Sequence, residues 1–167
     1  MKRIASLALA LIATFSMLYA QKPASPTGTA EGTIGSTKIK IVYSQPSARG
    51  RKVMGGDLVP FGQVWRTGAN AATTIEFDKA VKIEGKDLAA GKYALFTIAG
   101  EKEWTIIFSK KAEQNGAFDY KKEEDALRVI APSKKTPAMV ETFNISVGTE
   151  SIELKWENTS VSVKVKG

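Results

Sequence analysis

From residue 37 onward, apolar and polar residues alternate with a period of two, the pattern of half-buried strands. Ile39, Ile41 and Tyr43 alternate with Lys38 and Lys40, Thr73, Ile75 and Phe77 share a side, and so do Val81 and Ile83. Tyr93, Leu95 and Thr97 oppose Ala94, Phe96 and Ile98, so that strand is apolar on both faces and reads as central. Trp104, Ile106 and Phe108 form the next, and Leu127, Val129 and Ala131 a weaker one. Residues 140–147, then Ile152, Leu154 and Trp156, then Val161, Val163 and Val165 complete the series. Turn chemistry separates the runs at Asp78-Lys79, Gly85-Lys86-Asp87, Gly100-Glu101, Asn115-Gly116 and Asn158-Thr159. Only 121–128 carries a helical pattern, one or two turns long. The pattern predicts an all-β fold: a single antiparallel β-sandwich, jelly-roll-like, of about nine short strands with at most one short helix.

The N-terminus departs from this alternation. Lys2 and Arg3 precede an apolar run over 4–18, and Ala20 stands before a polar segment, the layout of a secretory signal peptide over 1–20. The run is short for a transmembrane helix. Residues 21–36 are rich in Pro, Gly, Ala, Ser and Thr and read as a flexible leader. The β-sandwich domain is therefore expected over 37–167, exported to the periplasm or beyond, with no transmembrane segment once the signal is removed.

Composition removes several chemistries. The chain contains neither Cys nor His. Disulfides, an N-terminal lipidated Cys, His- or Cys-based zinc sites, and Ser-His-Asp or Cys-His catalysis are all excluded. The net charge of +7 falls to +5 on loss of Lys2 and Arg3. The basic residues are dispersed, with the acidic run Glu123-Glu124-Asp125 among them, which reads as a solvated surface and not as a nucleic-acid face. No cofactor is implied. Asp57, Asp78, Asp87 and Asp119 are too scattered for a calcium loop.

Candidate chemistry gathers in residues 43–74. Arg49 and Arg51 are two apart, so in extended chain both guanidinium groups point to one side and suit a carboxylate, phosphate or sulfate. Trp65 and Arg66 are adjacent, placing Trp65 in the core and Arg66 on the opposite face. Gly68 and Asn70 tolerate the positive φ of a tight loop. Glu141 lies in an otherwise apolar and Thr-rich strand; facing inward it needs a partner, for which Arg66 or Arg51 is the natural choice. Arg49, Arg51, Arg66, Asn70 and Glu141 thus form either a buried structural network or a site for a small anionic or saccharide ligand. The favoured reading is a non-catalytic exported protein that binds such a ligand or serves as a structural envelope component. The alternative is a carboxylate-dependent hydrolase of extracellular or envelope glycans, drawing on Glu76, Glu84, Glu141, Asp57 or Asp119.

The segments YSQPSARGR, VPFGQVWRTGANAAT, IEGKDLAAGKY and EWTIIFSK, with Glu141 and Trp156 later in the chain, resemble a family of exported bacterial proteins. That family is catalogued as a domain of unknown function, number 2911. The resemblance runs from about Lys40 to Val165, and its most specific part is VWRTGAN at 64–70. It implies export, one domain and a β-rich fold, and brings no activity, cofactor or catalytic residue with it.

Overall fold

The computed structural model describes residues 24–167. The expected signal peptide over 1–20, and the start of the leader, lie outside the described residues. Ten strands follow: β1 (Thr27–Ile34), β2 (Thr37–Ser44), β3 (Val64–Trp65), β4 (Thr73–Phe77), β5 (Val81–Ile83), β6 (Lys86–Leu88), β7 (Gly91–Ile98), β8 (Glu103–Ser109), β9 (Asp125–Val147) and β10 (Ser151–Lys166). The helical pattern at 121–128 yields one 3-10 turn, Lys122–Glu124, before the chain extends into β9. No helix among the described residues is long and apolar enough to cross a membrane.

All ladders are antiparallel and run in the order β1-β2-β4-β7-β8-β9-β10-β5-β6, with β3 added beside β7. The result is one open sheet folded over on itself. Its hinge is β9, which pairs with β8 as far as Pro132 and with β10 from Ser133 onward. The stretches 127–131 and 140–147, separate in the alternation pattern, are thus two arms of one long strand. Likewise β10 runs through Asn158-Thr159, which reads as a turn in sequence. There residues 136–139 of β9 stand opposite Asn158 alone, and Glu157 takes φ 53°. The turn chemistry makes a bulge inside a ladder, not a reversal.

Strand β1 starts at Thr27, inside the segment expected to be a flexible leader. β1 has no apolar alternation, so its order comes from an eight-residue ladder with β2 and from lying against β9. A Cβ on Gly32 would stand 2.7 Å from the Val147 side chain, so the missing side chain is what permits the approach.

Alternate residues of both layers meet in one core. Trp65 of β3 occupies its centre: its ring stacks on Trp156 of β10 at 5.9 Å and 21°, and lies 5.0 Å from Phe143 of β9 and 6.1 Å from Trp104 of β8, both edge-on. A smaller cluster of Ala72, Ala94, Phe96 and Ile107 occupies the outer face of β7 and β8, where Ala117 and Tyr120 of the 110–121 loop pack over it. This second core explains why β7 is apolar on both faces.

Replacing Trp65 by Ala removes the ring that touches both layers. It is expected to lower unfolding free energy by about 3–5 kcal/mol, read from urea denaturation with an unchanged slope. A loss below about 1 kcal/mol would mean the layers are held elsewhere.

Candidate functional site

The arginine block folds into a fastening. Ala48-Arg49-Gly50-Arg51 closes a turn in which the Arg51 N–H donates to the Ala48 carbonyl at 3.1 Å. Arg49 at φ 51° and Gly50 at φ 73° give it the left-handed form at both central positions. The chain is therefore not extended here, and the expectation that Arg49 and Arg51 aim to one side fails for that reason. Arg51 folds back on its own loop, Nε donating to the Ala48 carbonyl and Nη2 to that of Ser47, both at 2.9 Å. Arg49 donates its backbone N–H to Glu141 Oε1 at 2.7 Å and its Nη2 to the Ala24 carbonyl at 3.2 Å.

Glu141 is exposed, so no buried carboxylate requires an arginine side chain. Its pairing with Arg66 or Arg51 does not occur; its carboxylate holds the Arg49 amide. Its carbonyl accepts from the Ala48 N–H at 2.8 Å and from the Trp156 indole at 3.0 Å. Position 141 thus ties the 46–51 segment to the edge of β9 and to the central indole.

The 65–73 loop is closed just as fully. The Trp65 indole donates to the Gly68 carbonyl at 3.1 Å, and the Thr73 hydroxyl to the Thr67 carbonyl at 2.6 Å. These bonds hold the β-branched Thr67 at φ 54°, a conformation such residues rarely adopt. Asn70, at φ 60°, donates to Ser44 Oγ at 3.4 Å. Of the five candidates, Arg49 and Glu141 meet directly, Arg51 shares their turn, and Arg66 and Asn70 stand on a different loop. Of these five, only Arg66 keeps a buried donor, Nε, without a partner. It follows β3 on the outer face, where a Cβ on Gly116 would stand 3.5 Å from its Nη1. Gln114, only 6% exposed, keeps its Oε1 unpartnered in the same loop.

The outer face carries a second arginine that sequence reasoning missed. Pairing of Phe96 with Ile107, and of Ile107 with Arg128, puts Arg128 of β9 on the row that Arg66 borders. Arg128 donates through Nε to Asp125 and through Nη2 to the Tyr120 hydroxyl, which itself donates to Asp125 at 2.9 Å. The guanidinium lies 5.9 Å from the Tyr120 ring centre, and that ring meets Phe96 edge-on at 5.0 Å. Burial pushes the Tyr120 phenol above 10, and Asp125 adds to the rise. Burial works against the Arg128 charge, but Asp125 and Tyr120 outweigh it and raise its pKa. The cation is therefore fixed in place and in charge. Residue 128 also lines a cleft of about 460 Å³ together with Thr105, Ile130, Glu84 and Lys86. Ile130 is 58% exposed and forms an apolar wall there.

The signal for Arg128 was present in the sequence as an arginine between Leu127 and Val129, in a strand otherwise apolar. Glu157 was also missed and had no such signal. Its carboxylate accepts the backbone N–H groups of Val53 and Met54, at 3.3 and 3.0 Å, across the bulge. Of the carboxylates weighed for hydrolysis, Glu141 holds Arg49 and Glu84 accepts the Lys164 N–H at 2.6 Å.

Two consequences are measurable. Glu157→Ala leaves two loop amides without an acceptor and should cost about 1–3 kcal/mol in chemical denaturation, whereas a surface glutamate costs a few tenths. For Tyr120, the folded pKa lies above the unfolded value of 10.0. Its contribution is complete below pH 10 and disappears as pH rises through the folded pKa. Tyr120→Phe should therefore flatten the alkaline fall in melting temperature. An unchanged slope above pH 10 would show that the phenol is not coupled to folding.

Comparison with curated proteins and with solved structures found no match. The family described as a protein of unknown function, DUF2911, matches residues 25–165, and the chain belongs to that family.

Proposed function

We propose that this is an exported, non-catalytic binding protein whose ligand is a small anionic molecule such as a sugar acid, held in the Arg128 cleft. The carrying observation is the orientation of Arg128 by Asp125 and Tyr120 at the wall of an open cleft of about 460 Å³. Clefts of this volume suit small ligands, and a guanidinium held in position loses little freedom when it binds a carboxylate. Lys86 adds a second cation, Thr105 a hydroxyl and Ile130 an apolar surface for a sugar ring. Glu84 also lines the cleft, but its carboxylate is drawn to the Lys164 amide. The arginine block at 49–51 keeps an architectural role, since Arg49 Nη2 and Arg51 Nε and Nη2 are bonded to carbonyls of the chain itself. Export rests on the basic, apolar and small-residue order of residues 1–20.

Titration with galacturonate, with glucose as the neutral control, tests the proposal through backbone and arginine Nε–H NMR shifts. Galacturonate is expected to move the signals of Thr105, Arg128 and Ile130, and glucose is not. Lys86→Gln, which leaves the Arg128 network intact, should weaken binding roughly tenfold. Equal shifts with glucose, or no effect of Lys86→Gln, would sink the assignment.

A further inference from the structure

The Arg128 cleft is one side of a larger feature. The β5–β6 hairpin leaves its sequence neighbours β4 and β7 and docks on β10, Val165 opposite Ile83 and Lys166 opposite Lys82. On its other side opens a second cleft of about 780 Å³, lined by Lys82, Lys164, Lys166, Ser162, Ser151 and Thr149, with Glu150 as its one acidic side chain. Both clefts reach the hairpin turn: Glu84 and Lys86 border the first, Gly85 and Lys82 the second.

The charge arrangement is not that of a self-neutralised surface. Lys166 and Lys82 are directly opposite on adjacent strands, a like-charge placement that costs stability unless a counter-charge is supplied. Asp87 supplies one to Lys82 at 2.5 Å from the far side. Glu84 accepts the Lys164 backbone N–H and makes no ion pair with the ammonium. Among the described residues, Lys86, Lys164 and Lys166 make no ion pair. Lys164 and Lys166 project from the same face about 6–7 Å apart.

We infer that the ligand is a linear polyanion, an acidic glycan, that passes over the Glu84-Gly85 turn and fills both clefts. This rests on the reading of the Arg128 cleft given above and names the class of its ligand. Several cations spread over two clefts that meet at one turn suit a repeating charge better than one carboxylate. Linking two occupied subsites raises affinity without any new kind of contact.

The test compares monomeric galacturonate with a short galacturonate oligomer by calorimetry, at low and at physiological salt. The oligomer is expected to bind at least about tenfold tighter than the monomer and to weaken more steeply with salt. Lys164→Gln/Lys166→Gln should bring the oligomer down to monomer affinity and leave the monomer unchanged. Lys86→Gln should weaken both. Equal affinity of oligomer and monomer, or an oligomer indifferent to Lys164→Gln/Lys166→Gln, would overturn the inference while leaving the Arg128 cleft standing. Failure of the monomer and the oligomer alike to bind would overturn both.

Discussion

The fold depends on the indole of Trp65 lying flat on that of Trp156. One ring comes from a two-residue strand on the first layer, the other from β10 on the second. A strand that short adds little by its own ladder; burying an indole against three aromatic neighbours is what secures it. The polar end of each indole is bonded too, Trp65 to Gly68 and Trp156 to Glu141. Through those two bonds the aromatic centre fixes the 65–73 loop on one side and the 46–51 segment on the other.

This changes the meaning of the arginine-rich block. Its density of glycines and arginines comes from a chain that must leave β2, turn sharply, and return to put Trp65 in the core. Arg51 and Glu141 bond main-chain groups of these turns, the Ser47 and Ala48 carbonyls and the Arg49 amide, and so hold the turn closed. The family signature at 64–70 is, on this view, first a folding device. Arg66 is the exception, since its buried Nε lacks a partner beneath the 110–121 loop. Phe118, at the tip of that loop, is 92% exposed and adds no packing to hold the cover down.

The fold class and the inward faces were legible because alternation reports burial directly. Ile39, Ile75, Leu95, Ile106 and Val163 all face the core as their spacing requires. β1 was not legible, because Thr27 to Thr33 contribute a ladder and a close approach but almost no apolar surface. The joins within β9 and β10 were hidden because a bulge and a turn use the same residues, and only the partner strand distinguishes them. The paired reading of Arg49 and Arg51 failed at one dihedral: a positive φ at Arg49 reverses where the side chains go. Arg128 was readable in principle, but its partner Asp125 lies in the 121–128 stretch whose pattern suggested helix, and Tyr120 in the loop just before it.

The placement of the β5–β6 hairpin is the step that connects fold to chemistry. Were it paired beside β4 and β7, as chain order suggests, it would extend the first layer and leave the edge of β10 open. Docked on β10 instead, it covers Val163 and Val165 with Val81, Ile83 and Leu88, all of them buried. That apolar side is reason enough for the excursion. The opposite side of the same short strands carries Lys82 to the border of one cleft, while Lys86, at the hairpin turn on the Ile83 side, borders the other. Period-two alternation sends Lys82, between Val81 and Ile83, to the outer face opposite Asp87, whereas Lys86, opposite Ile83, is exposed because it stands at the end of the hairpin. The positions of Lys82 beside Lys164 and of Lys86 beside Arg128 thus follow from the way the hairpin closes the second layer.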